Sequence, residues 1–220
     1  MTPRRALFCR SRLGGLAVTT RRGTGVVLAG LVVLAFSGAA NSRQQAIPIS
    51  MEIGDEPGRV ATAEQIVEDG PFARQFVFFR SSEPPGTIVI HTSERFLYVV
   101  QGNNRALRYG IGVGREGFQW SGLVRVSRKA EWPDWTPPPE MIARQPYLPR
   151  FMAGGPGNPM GARALYLGST VYRIHGTNQP ETIGHAVSSG CFRLANGDVI
   201  DLFERIAVGA KVIIRHGASI

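Results

Sequence analysis

From Thr87 onward the chain is cut into short β-branched and aromatic runs by glycine, asparagine and proline, a rhythm that suits strands and excludes a helix bundle. Thr87-Ile88-Val89-Ile90-His91 and Arg95-Phe96-Leu97-Tyr98-Val99-Val100 are strand candidates separated by a short polar turn. Gly102-Asn103-Asn104 is a hairpin turn into a third run, Ala106 to Val113. Further strands are expected at Leu123 to Val126, Ala164 to Leu167, Val171 to His175 and Lys211 to Arg215. One helix is predicted, from Gly197 to about Ile206, capped by Asn196 and burying Val199, Phe203 and Ile206 at i, i+4 and i+7. The sum is a mainly β fold, a sandwich or barrel carrying one short helix. The 27 glycines and 15 prolines follow no fixed period, so fibrous and repeat architectures are excluded.

Two segments lack this rhythm. Trp132 to Met160 is rich in proline and aromatics and longer than most loops of a compact domain, which suggests a lid over a binding site or a surface excursion packed by its own tryptophans. Residues 41–85 are expected to form a polar tether: Thr62-Ala63-Glu64-Gln65 could open a short helix, and Phe76-Val77-Phe78-Phe79 a strand or docking segment.

Residues 1–40 have the parts of a secretory signal. An arginine-rich start ends at Arg21-Arg22, an apolar run from Val26 to Phe36 follows, and Ser37-Gly38-Ala39-Ala40 offers a cleavage site. Eleven apolar residues are short of the roughly 20 a stable transmembrane helix needs, so cleavage is expected and an uncleaved anchor is the alternative. Sec and twin-arginine export both remain open. The leader also accounts for most of the basic excess. It holds six arginines and no acid; six from 25 leaves 19 basic against 16 acidic side chains, and +9 becomes +3. Net charge therefore gives no support to nucleic-acid binding.

Loss of the leader also removes Cys9 and leaves Cys191 as the lone cysteine of an exported chain. It has no intramolecular disulfide partner, so it is a reactive thiol, an intermolecular partner or a small buried apolar residue. Its setting, Ser188-Ser189-Gly190-Cys191-Phe192-Arg193, lies sixteen residues after His175 in Tyr172-Arg173-Ile174-His175-Gly176-Thr177-Asn178. A histidine can take a thiol's proton, and a nearby guanidinium favours the thiolate. Gly190 would let backbone amides face a developing oxyanion. A zinc site is the rival use of cysteine and histidine, but no C-x-x-C or H-x-x-E-H spacing supports it and no metal is expected.

These segments resemble the active-site signature of the L,D-transpeptidases, the YkuD or ErfK/YbiS/YcfS/YnhG family. The resemblance extends to Asn158-Pro159-Met160-Gly161-Ala162-Arg163-Ala164-Leu165 and to Asn196-Gly197-Asp198-Val199-Ile200-Asp201-Leu202, and covers the catalytic domain expected at 86–216. It implies a β-sandwich with one helix after the cysteine and a lid loop, no cofactor, and a periplasmic enzyme acting on peptidoglycan stem peptides. Cys191 would be the nucleophile, His175 the proton donor and acceptor, and the Gly176 carbonyl the group that orients it. Ser189 and Gly190 would form the oxyanion loop, with the Gly190 and Cys191 amides as donors, and Arg193 would support it. Thr177, Asn178, Met160 and Trp132 are candidate substrate contacts. A thioacyl-enzyme formed at the diaminopimelate–D-Ala bond would pass to a stem-peptide amine, an envelope-protein amine or water; a cysteine amidase or a non-catalytic wall-binding module are the alternatives. One position departs from the pattern: the family has histidine before Gly-Cys, and this chain has Ser189. His185 is the only substitute base nearby; His91 and His216 have no motif around them.

Overall fold

A computed structural model describes residues 69–217, so the leader, Cys9 and the proposed helix at Thr62 lie outside the described residues. The described residues form eleven strands: β1 (Gln75–Phe78), β2 (Ile88–His91), β3 (Phe96–Gly102), β4 (Arg105–Gly110), β5 (Val113–Gly114), β6 (Gly122–Glu131), β7 (Arg163–Leu167), β8 (Arg173–His175), β9 (Ala186–Ser188), β10 (Phe192–Arg193) and β11 (Lys211–Arg215). Nine run in one mixed sheet, ordered β1-β4-β3-β2-β11-β6-β7-β8-β10, and β5 pairs with β9. The β11–β2 and β10–β8 pairs are parallel; the other pairs in the large sheet are antiparallel.

Strand β6 divides this sheet. Its first half pairs with β11 and its second with β7, and the register shifts between Val126 and Arg128. Side chains from both halves enter one core: Ile88, Ile90, Leu97, Val99, Leu107 and Tyr109 from one, Leu165, Leu167, Ile174 and Phe192 from the other. The alternation is that of strands packed face to face. Strands β2 and β3 are apolar on both faces, and their outer residues Val89, Tyr98 and Val100 meet Val77 and Phe79. That contact explains the Phe76–Phe79 run: β1 pairs with β4, Val77 turns onto the sheet, and Phe79, just past the strand, stacks on Tyr98 at 4.6 Å. This strand falls within the stretch that the sequence assigns to the tether.

Among the described residues there are two α-helices where the sequence predicts one. Helix α1 (Pro139–Arg144) lies inside the long loop; six residues starting at a proline are too few to show a 3.6-residue period. Its Met141 joins Trp135, Leu148 and Met160 in a cluster against Ala164 on β7, so the loop is pinned to the sheet by its own apolar side chains. Helix α2 (Asn196–Arg205) matches the predicted one, with Val199 and Leu202 buried and Ile206, just beyond its end, also buried. Asn196 is not its cap. The N-cap is Ala195, and Asn196 Oδ1 instead accepts a hydrogen bond from the Ala162 amide at 3.0 Å. Among the described residues no helix is long and apolar enough to cross a membrane.

Candidate active site

Strands β8 and β10 are parallel neighbours whose register sets His175 opposite Arg193, two residues past Cys191. The sixteen-residue separation in sequence thus closes into adjacency on the sheet. His175 and Cys191 line the same narrow cleft, of about 60 Å³. Trp135, Met141 and Met160 form part of its wall, and Ser188, Ser189 and Arg193 line it near the cysteine. Among the described residues, no carboxylate lines this cleft.

His175 is buried, and its Nδ1 is 2.6 Å from the Gly176 carbonyl oxygen. A carbonyl can only accept, so Nδ1 carries the proton and the basic lone pair of the neutral ring is on Nε2. Burial, then the Arg193 guanidinium, push the imidazole pKa down to about 3, against the opposing pull of the Gly176 and Met160 carbonyls. The ring is therefore neutral at physiological pH. Gly176 is held from behind by Asn196, whose Oδ1 leaves no room for a Cβ at Gly176 or Gly161. Helix α2 thus fixes the turn that orients the histidine.

The cysteine loop is held by its own serine. Ser188 Oγ donates to the Cys191 carbonyl at 2.6 Å and accepts from the Gly190 amide at 3.2 Å. Gly190 has a φ of 108°, and a Cβ there would strike the Tyr172 ring. Its carbonyl accepts from Trp120 Nε1 at 2.9 Å, and Trp120 stacks on Tyr172 with ring centroids 4.5 Å apart. Cys191 is partly exposed.

Several sequence expectations need correction. The Gly190 amide, an expected oxyanion donor, is engaged by Ser188 Oγ. Thr177 and Asn178 are buried and do not line the cleft; Thr177 Oγ1 accepts from the Gln179 amide and closes a turn. Trp132, at positive φ, does not line it either; the tryptophan in its wall is Trp135. Met160 lies where expected. Arg193 is fully buried, its backbone amide and carbonyl bridging to Gly112. His185 is exposed and outside the cleft, while His91 is buried at the end of β2, its Nδ1 3.5 Å from Glu94. His216 Nδ1 meets Thr92 Oγ1 at 2.8 Å. Sequence reasoning missed Ser188 and Trp120 as organisers of the loop. The Ser188-Ser189 pair was a visible signal for the first; nothing local marked the second.

Residues 85–214 match the model of the YkuD family, the L,D-transpeptidase catalytic domain. This chain belongs to that family. Within curated proteins, the L,D-transpeptidase domain is 41% identical to the "Probable L,D-transpeptidase ErfK/SrfK" of Escherichia coli K12 over 134 residues, 57% of this chain and 42% of that one. It is 42% identical to the "Probable L,D-transpeptidase YbiS" of the same strain over 135 residues, 57% of this chain and 43% of that one. The matched stretch is thus less than half the length of either relative. A solved Brucella melitensis chain described as a "Probable carnitine operon oxidoreductase caia" is 46% identical, covering 70% of this chain and 100% of that one, at a TM-score of 0.45.

Proposed function

We propose that this L,D-transpeptidase domain belongs to an exported, periplasmic enzyme that remodels peptidoglycan. Its donor is a stem tetrapeptide and its catalytic pair is Cys191 and His175. The observation that carries this reading is the shared cleft in which His175, with Nδ1 committed to Gly176, offers Nε2 beside the cysteine loop. Neutral imidazole accepts the Cys191 proton as Sγ bonds to the carbonyl carbon at the L-centre of diaminopimelate. His175 then returns that proton to the departing D-Ala nitrogen as the C–N bond breaks, leaving a thioester. An incoming amine attacks the thioester, loses its proton to His175, and the proton passes to the Cys191 sulfur as the C–S bond breaks.

A stem-peptide amine yields a 3→3 cross-link, an envelope-protein amine anchors that protein to the wall, and water yields carboxypeptidase activity. The Ser189 hydroxyl and the loop backbone stand where the family histidine would help. The test is incubation of the purified protein with disaccharide-tetrapeptide, with and without an acceptor amine, and reading of product masses. Cross-linked dimers minus D-Ala support transfer, trimmed monomers alone support hydrolysis, and unchanged substrate rejects both.

A further inference from the structure

The position at which this chain departs from its family is bracketed by two cations. Ser189 Oγ accepts from Arg115 Nη1 at 3.5 Å and from Arg144 Nη2 at 3.4 Å. The two arginines arrive from different parts of the fold. Arg115 follows β5, whose pairing with β9 is extended by an Arg115 amide bond to the Ser188 carbonyl at 3.0 Å; Arg144 ends α1 in the long loop. The Phe118 ring lies against both guanidiniums, its centroid 4.2 Å from that of Arg115 and 5.2 Å from that of Arg144. Ser189 itself lines the cleft shared by Cys191 and His175.

Two guanidiniums drawn to one neutral hydroxyl repel each other, and an anion between them relieves the repulsion. Both arginines reach the edge of the cleft through Ser189, and among the described residues that line it there is no carboxylate. We infer that Arg115, Arg144 and Ser189 form a carboxylate subsite that holds the free terminal carboxylate of the donor peptide.

This inference rests on the proposed donor. In that donor the terminal carboxylate lies one residue beyond the carbonyl that Cys191 attacks, within about 4 Å along the chain. Such a subsite fixes the distance from the chain end to the scissile bond. It also orients the leaving residue without touching the reacting atoms.

The experiment compares binding of the tetrapeptide and its C-terminal amide by calorimetry, in Cys191→Ala protein and in the same protein carrying Arg115→Gln and Arg144→Gln. The acid is expected to bind about tenfold more tightly than the amide to the first protein, as loss of a charge-assisted hydrogen bond implies, and equally to the second. Lysine at both positions restores part of the preference. Equal binding of acid and amide to the first protein, or an acid preference that survives in the second, overturns the subsite, as does no binding of either peptide. Iodoacetamide labelling of Cys191 in the double-glutamine protein with the cysteine intact shows whether the loop keeps its shape. Turnover of the tetrapeptide by the unmodified protein is read separately. Turnover without acid preference sinks the subsite alone, and acid preference without turnover sinks the proposed reaction alone.

Discussion

His175 donates its Nδ1 hydrogen to the carbonyl oxygen of Gly176, the very next residue, at 2.6 Å. The bond selects one tautomer and aims the other ring nitrogen, in a turn after β8 where Asn196 Oδ1 packs close against Gly161 and Gly176. The orientation of the base is therefore a property of the helix that follows the cysteine as much as of the strand that carries the histidine.

Replacing the catalytic pair separates the histidines. Cys191→Ala is expected to abolish product formation and any covalent adduct with a carbapenem, seen by intact-protein mass spectrometry. His175→Ala is expected to lower the acylation rate by about two to four orders of magnitude, the usual contribution of a positioned acid–base group. His185→Ala, exposed and outside the cleft, leaves it within about twofold of the unmodified protein. An inactive His185→Ala beside an active His175→Ala would reverse the assignment.

The buried imidazole makes the fold sensitive to acid. Its native pKa is about 3 against an ordinary 6.5, so below pH 6.5 the unfolded chain binds the proton that the native chain refuses. Stability from this group is complete above pH 6.5 and is lost as pH falls toward 3, at a rate approaching about 1.4 kcal/mol per pH unit. Urea denaturation of the native protein between pH 7 and 4 should show this slope, and His175→Gln should flatten it.

Ser188→Ala removes both bonds that shape the nucleophile loop, leaving the Cys191 carbonyl and the Gly190 amide without the serine hydroxyl. A loss of about 1–3 kcal/mol is expected from denaturant unfolding. The rate of Cys191 labelling by iodoacetamide should change as well, and Ser188→Thr, which keeps the hydroxyl, should retain more of both properties.

Gly190→Ala forces a side chain into the left-handed region and against Tyr172. A destabilisation of about 2–4 kcal/mol is expected, combining backbone strain with displacement of the Trp120–Tyr172 stack. Near-ultraviolet circular dichroism should report the displaced aromatics, and Tyr172→Ala in the same chain should recover part of the loss by opening space.

The strands from Ile88 to Tyr109 were legible as β-branched and aromatic runs between turns, and α2 because Val199, Phe203 and Ile206 recur at helical spacing. Helix α1 was not, since its six residues are held by a cluster of side chains that meet only after folding. The same limit applies in the site. Cys191 and His175 could be singled out as the candidate pair from residue type and motif, because a nucleophile and a base need particular chemical groups wherever they stand.

Residue type alone did not reveal that Thr177 and Asn178 would be buried, nor that they and Trp132 would lie outside the cleft lining. By itself the sequence determined the strand-forming runs, the reactive groups and the family. Tertiary structure alone decided that β8 would lie beside β10, that Asn196 would brace Gly176, and that Arg115 and Arg144 would converge on Ser189. The reason is physical: periodicity and side-chain chemistry are local and survive in the linear chain, whereas proximity between distant residues exists only once the shared core has closed around them.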